Sequence, residues 1–158
     1  MDRCRPLPGR RTGFSLLETL IVLSILGIMF AFALPSYTRY ASTQRARAAA
    51  HVLASDLRVA QQEAMTRRGA IRVAFLAVDP SCSGSPPSYV IGNAQAAIKR
   101  ACLPADVTWG PDPSRPIVFQ PTGASDASAT LSVTSTRSGR RFMVSVAERT
   151  GVVTEAGR

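Results

Sequence analysis

Apolar residues run almost without a break from Phe14 to Leu34, about 21 positions, and Glu18 is the one charged residue among them. At about 1.5 Å per residue a helix of that length matches a hydrocarbon core of roughly 30 Å, so the run is predicted to span a membrane. Pro35 lies inside a helical pattern that continues past it. It removes one backbone donor and crowds the preceding turn, which predicts a kink rather than a stop. Further on, Ala46, Ala50, Leu53, Leu57, Ala60 and Ala64 recur at three- and four-residue spacing, while His51, Ser55, Arg58 and Gln62 keep the same period on another face. This is the signature of an amphipathic helix with a small, apolar contact stripe. Arg67 and Arg68 suit its C-terminus, and Gly69 is the expected cap. From about Phe14 to Arg68 the helix would be near 80 Å long, a length that only a packed assembly or a docked domain sustains.

After Gly69 the period shortens to two. Residues 71–78, 88–92, 116–121, 129–135 and 141–147 read as short strands, with Leu131 and Val133, then Phe142, Val144 and Val146, alternating as half-buried strands do. DPSCSGSPPS and WGPDPSRP between them are rich in turn formers, and residues 79–88 and 104–116 are the expected mobile loops. A helix followed by mainly antiparallel strands predicts an α+β fold.

Charge adds a direction. The chain carries a formal +9, and Arg3, Arg5, Arg10 and Arg11 precede Gly13. The positive-inside rule keeps that end in the cytoplasm and sends the remainder outward. Without residues 1–13 the balance is still about +6, which favours anionic headgroups, polyanions or acidic partners. A secretory signal peptide is the rival reading, because Ala31, Phe32 and Ala33 make an A-x-A pattern. Its apolar core would be about 7 to 15 residues, shorter than this one and without a carboxylate. Cys4 lies in the leader, whereas Cys82 and Cys102 lie beyond the run, where a disulfide would persist. Sequence leaves open whether these two are bridged or remain separate buried thiols.

Glu18 changes the picture most. A charge deep in lipid costs about 2.5–3.5 kcal/mol on the lenient insertion scale, so an intramembrane carboxylate demands a partner. The basic leader, the Gly13-Phe14 junction, Ser15, Leu16, Leu17, Glu18, the apolar helix and Pro35 resemble the prepilin processing region of type IV pilins and type II secretion pseudopilins. The resemblance implies that prepilin peptidase cuts after Gly13, that the new amine of Phe14 is methylated, and that Glu18 pairs with the cationic N-terminus of a neighbouring subunit. It divides the chain into a leader (1–13), a transmembrane helix (14–34), a periplasmic amphipathic helix (35–68) and a periplasmic β-rich domain (69–158). Downstream, QQEAMTRRGAIRV, PIVFQPTGASD and RRFMVSVAERTGVV are similar to the H-type pseudopilin and FimT-type minor pilin group. The Gly-Arg-x-Arg ending frequent in that group is replaced here by Thr150, Gly151, Val152 and Val153.

The implied function is a minor pseudopilin of a type II secretion system. A minor pilin of a type IV pilus, active in assembly initiation or DNA uptake, is the alternative. Expected partners are other pilins or pseudopilins, prepilin peptidase, an inner-membrane assembly platform and membrane lipid. Arg137, Arg140, Arg141 and Arg149 could gather at one sheet edge and contact DNA phosphates, which would make such binding salt-sensitive. His51 has no cysteine or carboxylate at ligand spacing. No phosphate loop, paired metal motif or nucleophile elbow appears, so neither an enzyme nor a cofactor is expected.

Overall fold

In the computed structural model the described residues are 15–84, 86–110 and 115–157, the side chains of Phe32 and Ala33 excepted. One helix, α1 (Leu16–Arg67), precedes eight strands: β1 (Ile71–Leu76), β2 (Ser88–Gly92), β3 (Ala97–Cys102), β4 (Val107–Gly110), β5 (Ile117–Phe119), β6 (Ala129–Ser135), β7 (Arg141–Val146) and β8 (Val153–Gly157). The chain divides into two units between Tyr37 and Thr38. In the first, every large apolar side chain described from Leu16 to Phe30 is exposed. The amphipathic part of α1 and all the strands belong to the second.

The strands form two four-stranded sheets, ordered β3-β2-β1-β5 and β4-β6-β7-β8, and every strand pairing is antiparallel. All six residues of the forecast stripe, from Ala46 to Ala64, are buried, and Ala54 joins them. Leu53 and Leu57 fill the centre against alternate strand residues: Ile71 and Val73, Tyr89 and Ile91, Ile117 and Phe119, Leu131 and Val133, Val144 and Val146. Each large aliphatic removed from water contributes about 1.5–3 kcal/mol. The alanines add less.

Trp109 ties the sheets together. Its indole N–H donates to the Leu76 carbonyl at 3.2 Å, and its ring meets Phe75 edge-on with centroids 5.4 Å apart. At the far end of the domain Gln61 on α1 donates to the carbonyls of Gly123, at 2.7 Å, and Thr150, at 3.1 Å. Gly151, at φ 65°, lies so close to this junction that a Cβ would meet the Gly123 carbonyl oxygen at 2.2 Å. Only glycine meets both demands.

Three expectations need correction. Residues 104–116 are not simply a loop, since Val107–Gly110 forms β4, paired with β6 through Trp109↔Val133. The first strand stops at Leu76, and Val78 is exposed. At the end of α1 the left-handed residue is Arg68, at φ 50°, rather than Gly69. The Gly69 N–H bonds to the Ala64 carbonyl at 3.2 Å and the Arg68 N–H to that of Met65 at 3.4 Å. This double closure is a Schellman motif with arginine at the position glycine normally takes.

A non-glycine residue in that conformation carries a cost of about 1–2 kcal/mol. Arg68→Gly is therefore expected to raise the stability of the domain by about 1 kcal/mol, read as a higher urea midpoint at unchanged slope. An unchanged or lower midpoint would show that the arginine side chain repays the strain.

Candidate functional site

The first turn of α1 carries the chemistry that the sequence singled out. Ser15 precedes the helix, and its hydroxyl accepts the Glu18 N–H at 3.2 Å. Ser15-Leu16-Leu17-Glu18 is thus a capping sequence, S-x-x-E. The signature was present in the sequence, and its capping meaning was overlooked there. The helix N-terminus, with its partial positive charge, favours a carboxylate at this position. Among the described residues no cation stands within ion-pair distance of Glu18. Gly13 and Phe14, the forecast cleavage and methylation positions, lie outside the described residues. Pro35 is internal to α1.

Cys82 and Cys102 are joined by a disulfide, with Cα atoms 6.0 Å apart and a sequence separation of 20. The bridge ties the β1–β2 connection to the end of β3. Beside it is a residue that the sequence reading passed over. Asp79 is only 1% exposed. It accepts a hydrogen bond from the Ser88 hydroxyl at 2.6 Å and one from the Ser81 N–H at 2.9 Å. The Arg100 guanidinium reaches both its oxygens at 3.1 Å. The Ser88 hydrogen bond first, then that of Ser81 and the charge of Arg100, hold its carboxyl below the ordinary aspartate range against the opposing effect of burial.

A second carboxylate pins helix to sheet. Asp56 on α1 accepts from the Tyr89 hydroxyl and from the Lys99 ammonium, each at 2.6 Å. Burial, followed by the hydrogen bond and charge of Asp56, pushes the Tyr89 hydroxyl well above the usual phenol range. Tyr89, 2% exposed, is thus a packing residue with a buried polar handle. His51 meets Glu155 at 2.5 Å, and Arg58 approaches the other oxygen of that carboxylate at 3.5 Å. This partner comes from β8, more than a hundred positions away, so local spacing could not reveal it. Among the described residues no three His, Cys, Asp or Glu gather as a metal set.

The arginines do not form one cluster. Arg137 and Arg140 lie in the β6–β7 turn and Arg141 opens β7, all three exposed. Arg149 follows the opposite end of β7, where its N–H bonds to the Ser125 carbonyl. A six-residue strand of about 20 Å separates it from the other three.

Comparison with known proteins gives matches to two family models: "Type II transport protein GspH" over residues 49–149 and "Prokaryotic N-terminal methylation motif" over residues 9–34. A type IV major fimbrial protein FimA of Dichelobacter nodosus is 33% identical over 108 residues, 66% of this chain and 58% of that protein. A fimbrial protein of the same organism is 36% identical over 115 residues, 70% and 61% of the two chains. The chain therefore spans about three fifths of the length of these relatives. Among solved structures, the type IV minor pilin FimU of Pseudomonas aeruginosa aligns with a TM-score of 0.55 at 18% identity, covering 70% of this chain and 87% of its own. The minor pseudopilin EpsH of the Vibrio cholerae type 2 secretion system aligns at 0.52 and 13% identity, covering 72% and 97%. These last two likenesses concern the fold.

The Asp79 network generates a pH test. A carboxyl held below its unfolded value stabilises the fold above that value, about 3.9. Its contribution disappears as pH falls through the lower, folded value. The urea midpoint should therefore drop below about pH 4, and Asp79→Asn should lower the midpoint at neutral pH while flattening that acid decline. Parallel curves for the two proteins would remove Asp79 from the acid transition.

Proposed function

The chain belongs to the Type II transport protein GspH family, pilin-like structural subunits rather than enzymes, and we propose that it is a minor subunit built into a periplasmic filament through its N-terminal helix. The observation that carries this reading is Glu18, the sole charge in an apolar run whose described large side chains have no burial within their own chain. The methylation-motif match over residues 9–34 supports it. In this reading prepilin peptidase cuts after Gly13 and the amine of Phe14 is methylated. Residues 14–34 then hold the subunit in the inner membrane, residues 1–13 having faced the cytoplasm, with residues 35–68 and 69–158 in the periplasm. Neighbouring helices replace lipid around α1 as an assembly platform admits the subunit. Glu18 meets the cationic N-terminus of a neighbour, an attraction far stronger in that dry setting than in water.

The first placement is the H-type position in a type II secretion pseudopilus, which the description of the family over residues 49–149 supports. A second placement, a minor pilin of a type IV pilus, is favoured by the fimbrial relatives at 33–36% identity. DNA capture would belong to that second setting. Its forecast contact set is reduced to Arg137, Arg140 and Arg141, because Arg149 lies at the other end of β7.

Mass spectrometry of the mature protein is expected to find methylated Phe14 as the first residue; a start at Leu34 would leave only a secreted domain. Glu18→Ala should spare membrane insertion but lower filament incorporation by about tenfold or more, because removing one partner of a poorly solvated pair costs about 3–5 kcal/mol. Normal incorporation would end the pairing proposal. Cross-linking in the native host then identifies the machine, by capture of pseudopilins or of pilins.

A further inference from the structure

The β6–β7 turn is fastened to the part of α1 that follows the apolar run. Thr43 and Ser138 share a hydroxyl–hydroxyl hydrogen bond of 2.9 Å, and the buried Ser135 and Ser42 hydroxyls are 3.2 Å apart. Ser138 lies between Arg137 and Arg140, and Arg39 shares the Ser42–Thr43–Ala46 face of the helix by its three-, four- and seven-residue spacing. Arg47 lies one turn beyond Thr43 and lines a cavity with Phe142, the neighbour of Arg141, and with Glu155, whose carboxylate is held by His51 and Arg58. Arg45 completes the group, and its ion pair with Asp106 is the only one that any of these six arginines makes among the described residues. All six are exposed.

The other end of the domain is different. There Arg67, Arg68, Arg72 and Arg149 are accompanied by Glu63, Asp126 and Glu148. Positive charge is thus concentrated at the end where the chain emerges from its apolar segment. Arg39 follows Leu34 by five residues and Thr43 follows it by nine, so the chain itself tethers this end of the domain to the surface that the apolar run leaves.

We propose that Arg39, Arg47, Arg137, Arg140 and Arg141 form a basic collar that rests the domain on the anionic phospholipid headgroups of the membrane that α1 crosses, before the subunit enters a filament. The proposal rests on the membrane-anchored reading above. Free arginines at a lipid surface engage phosphates bidentately, and each one within a Debye length of it contributes about a fivefold factor to the docked population. Incorporation into a filament takes the collar off the lipid, so docking opposes premature extraction. A DNA duplex would offer the same phosphates, but it has no tether that brings it to this end of the domain.

The test uses the full chain in vesicles of phosphatidylcholine alone or mixed with phosphatidylglycerol, followed by amide hydrogen exchange over residues 136–141. Exchange there is expected to slow several-fold with phosphatidylglycerol and to recover at high salt. Arg137→Gln with Arg140→Gln should reduce the docked population about 25-fold, while Arg149→Gln leaves it unchanged. Equal exchange in both vesicles, or an equal effect of Arg149→Gln, overturns the collar. So does protection by an added short DNA duplex but not by phosphatidylglycerol, which would assign these arginines to nucleic acid. Alkaline carbonate washing separates the two levels: a chain released from both vesicles overturns the anchored reading and the collar together. A chain retained in both with equal exchange overturns the collar alone.

Discussion

Burial of one stripe of α1, from Ser42 to Ala64, is the contact on which the domain depends. Neither sheet could cover its apolar face alone, since each has four strands and two open edges. Leu53 and Leu57 meet residues of both sheets in one core, and the alanines of the same stripe are buried with them. Polar staples then set the helix in register. Asp56 holds Tyr89 and Lys99, Gln61 holds the turns at Gly123 and Thr150, and the serines at 42 and 135 close the opposite end. These bonds stabilise the fold less by their number than by leaving no buried donor or acceptor without a partner. Among the described residues no buried side-chain nitrogen or oxygen is left unsatisfied.

The same helix obeys a different constraint in its first part. From Leu16 to Phe30 its large apolar side chains all face outward, with no protein to cover them. An exposed apolar surface of that extent marks a membrane or protein contact. One element thus links a domain with its own core to a segment whose apolar surface is exposed, and Glu18, its N–H capped by Ser15, is placed at the start of that segment. The disulfide and the Asp79 network strengthen the domain at its longest connection, between β1 and β2, by tying it to β3.

Much of the architecture was legible because periodicity reports burial directly. The three- and four-residue spacing of Ala46, Ala50, Leu53, Leu57, Ala60 and Ala64 announced the buried stripe, and the alternation in β6 and β7 announced the core strands. Strands lacking that contrast went unrecognised. Five of the six residues of β3 are exposed, so AIKRAC shows no alternation; it is a strand because β2 supplies a hydrogen-bonding edge. β4 is four residues long and runs toward a turn-rich segment, and only its pairing with β6 defines it.

Sequence by itself determined what depends on local chemistry: the apolar run with its single carboxylate, the basic leader, and the helical and strand periods. Side-chain identity and spacing along one chain suffice for these. Tertiary structure alone decided what depends on closure in space: the bond between Cys82 and Cys102, the burial of Asp79 beneath Ser88 and Arg100, the reach of Glu155 to His51, and the separation of Arg149 from Arg137, Arg140 and Arg141. Each is set by strand order and register, which bring together positions far apart in the chain or carry nearby ones to opposite ends of a strand, and the spacing of residues in one sequence carries no record of that geometry.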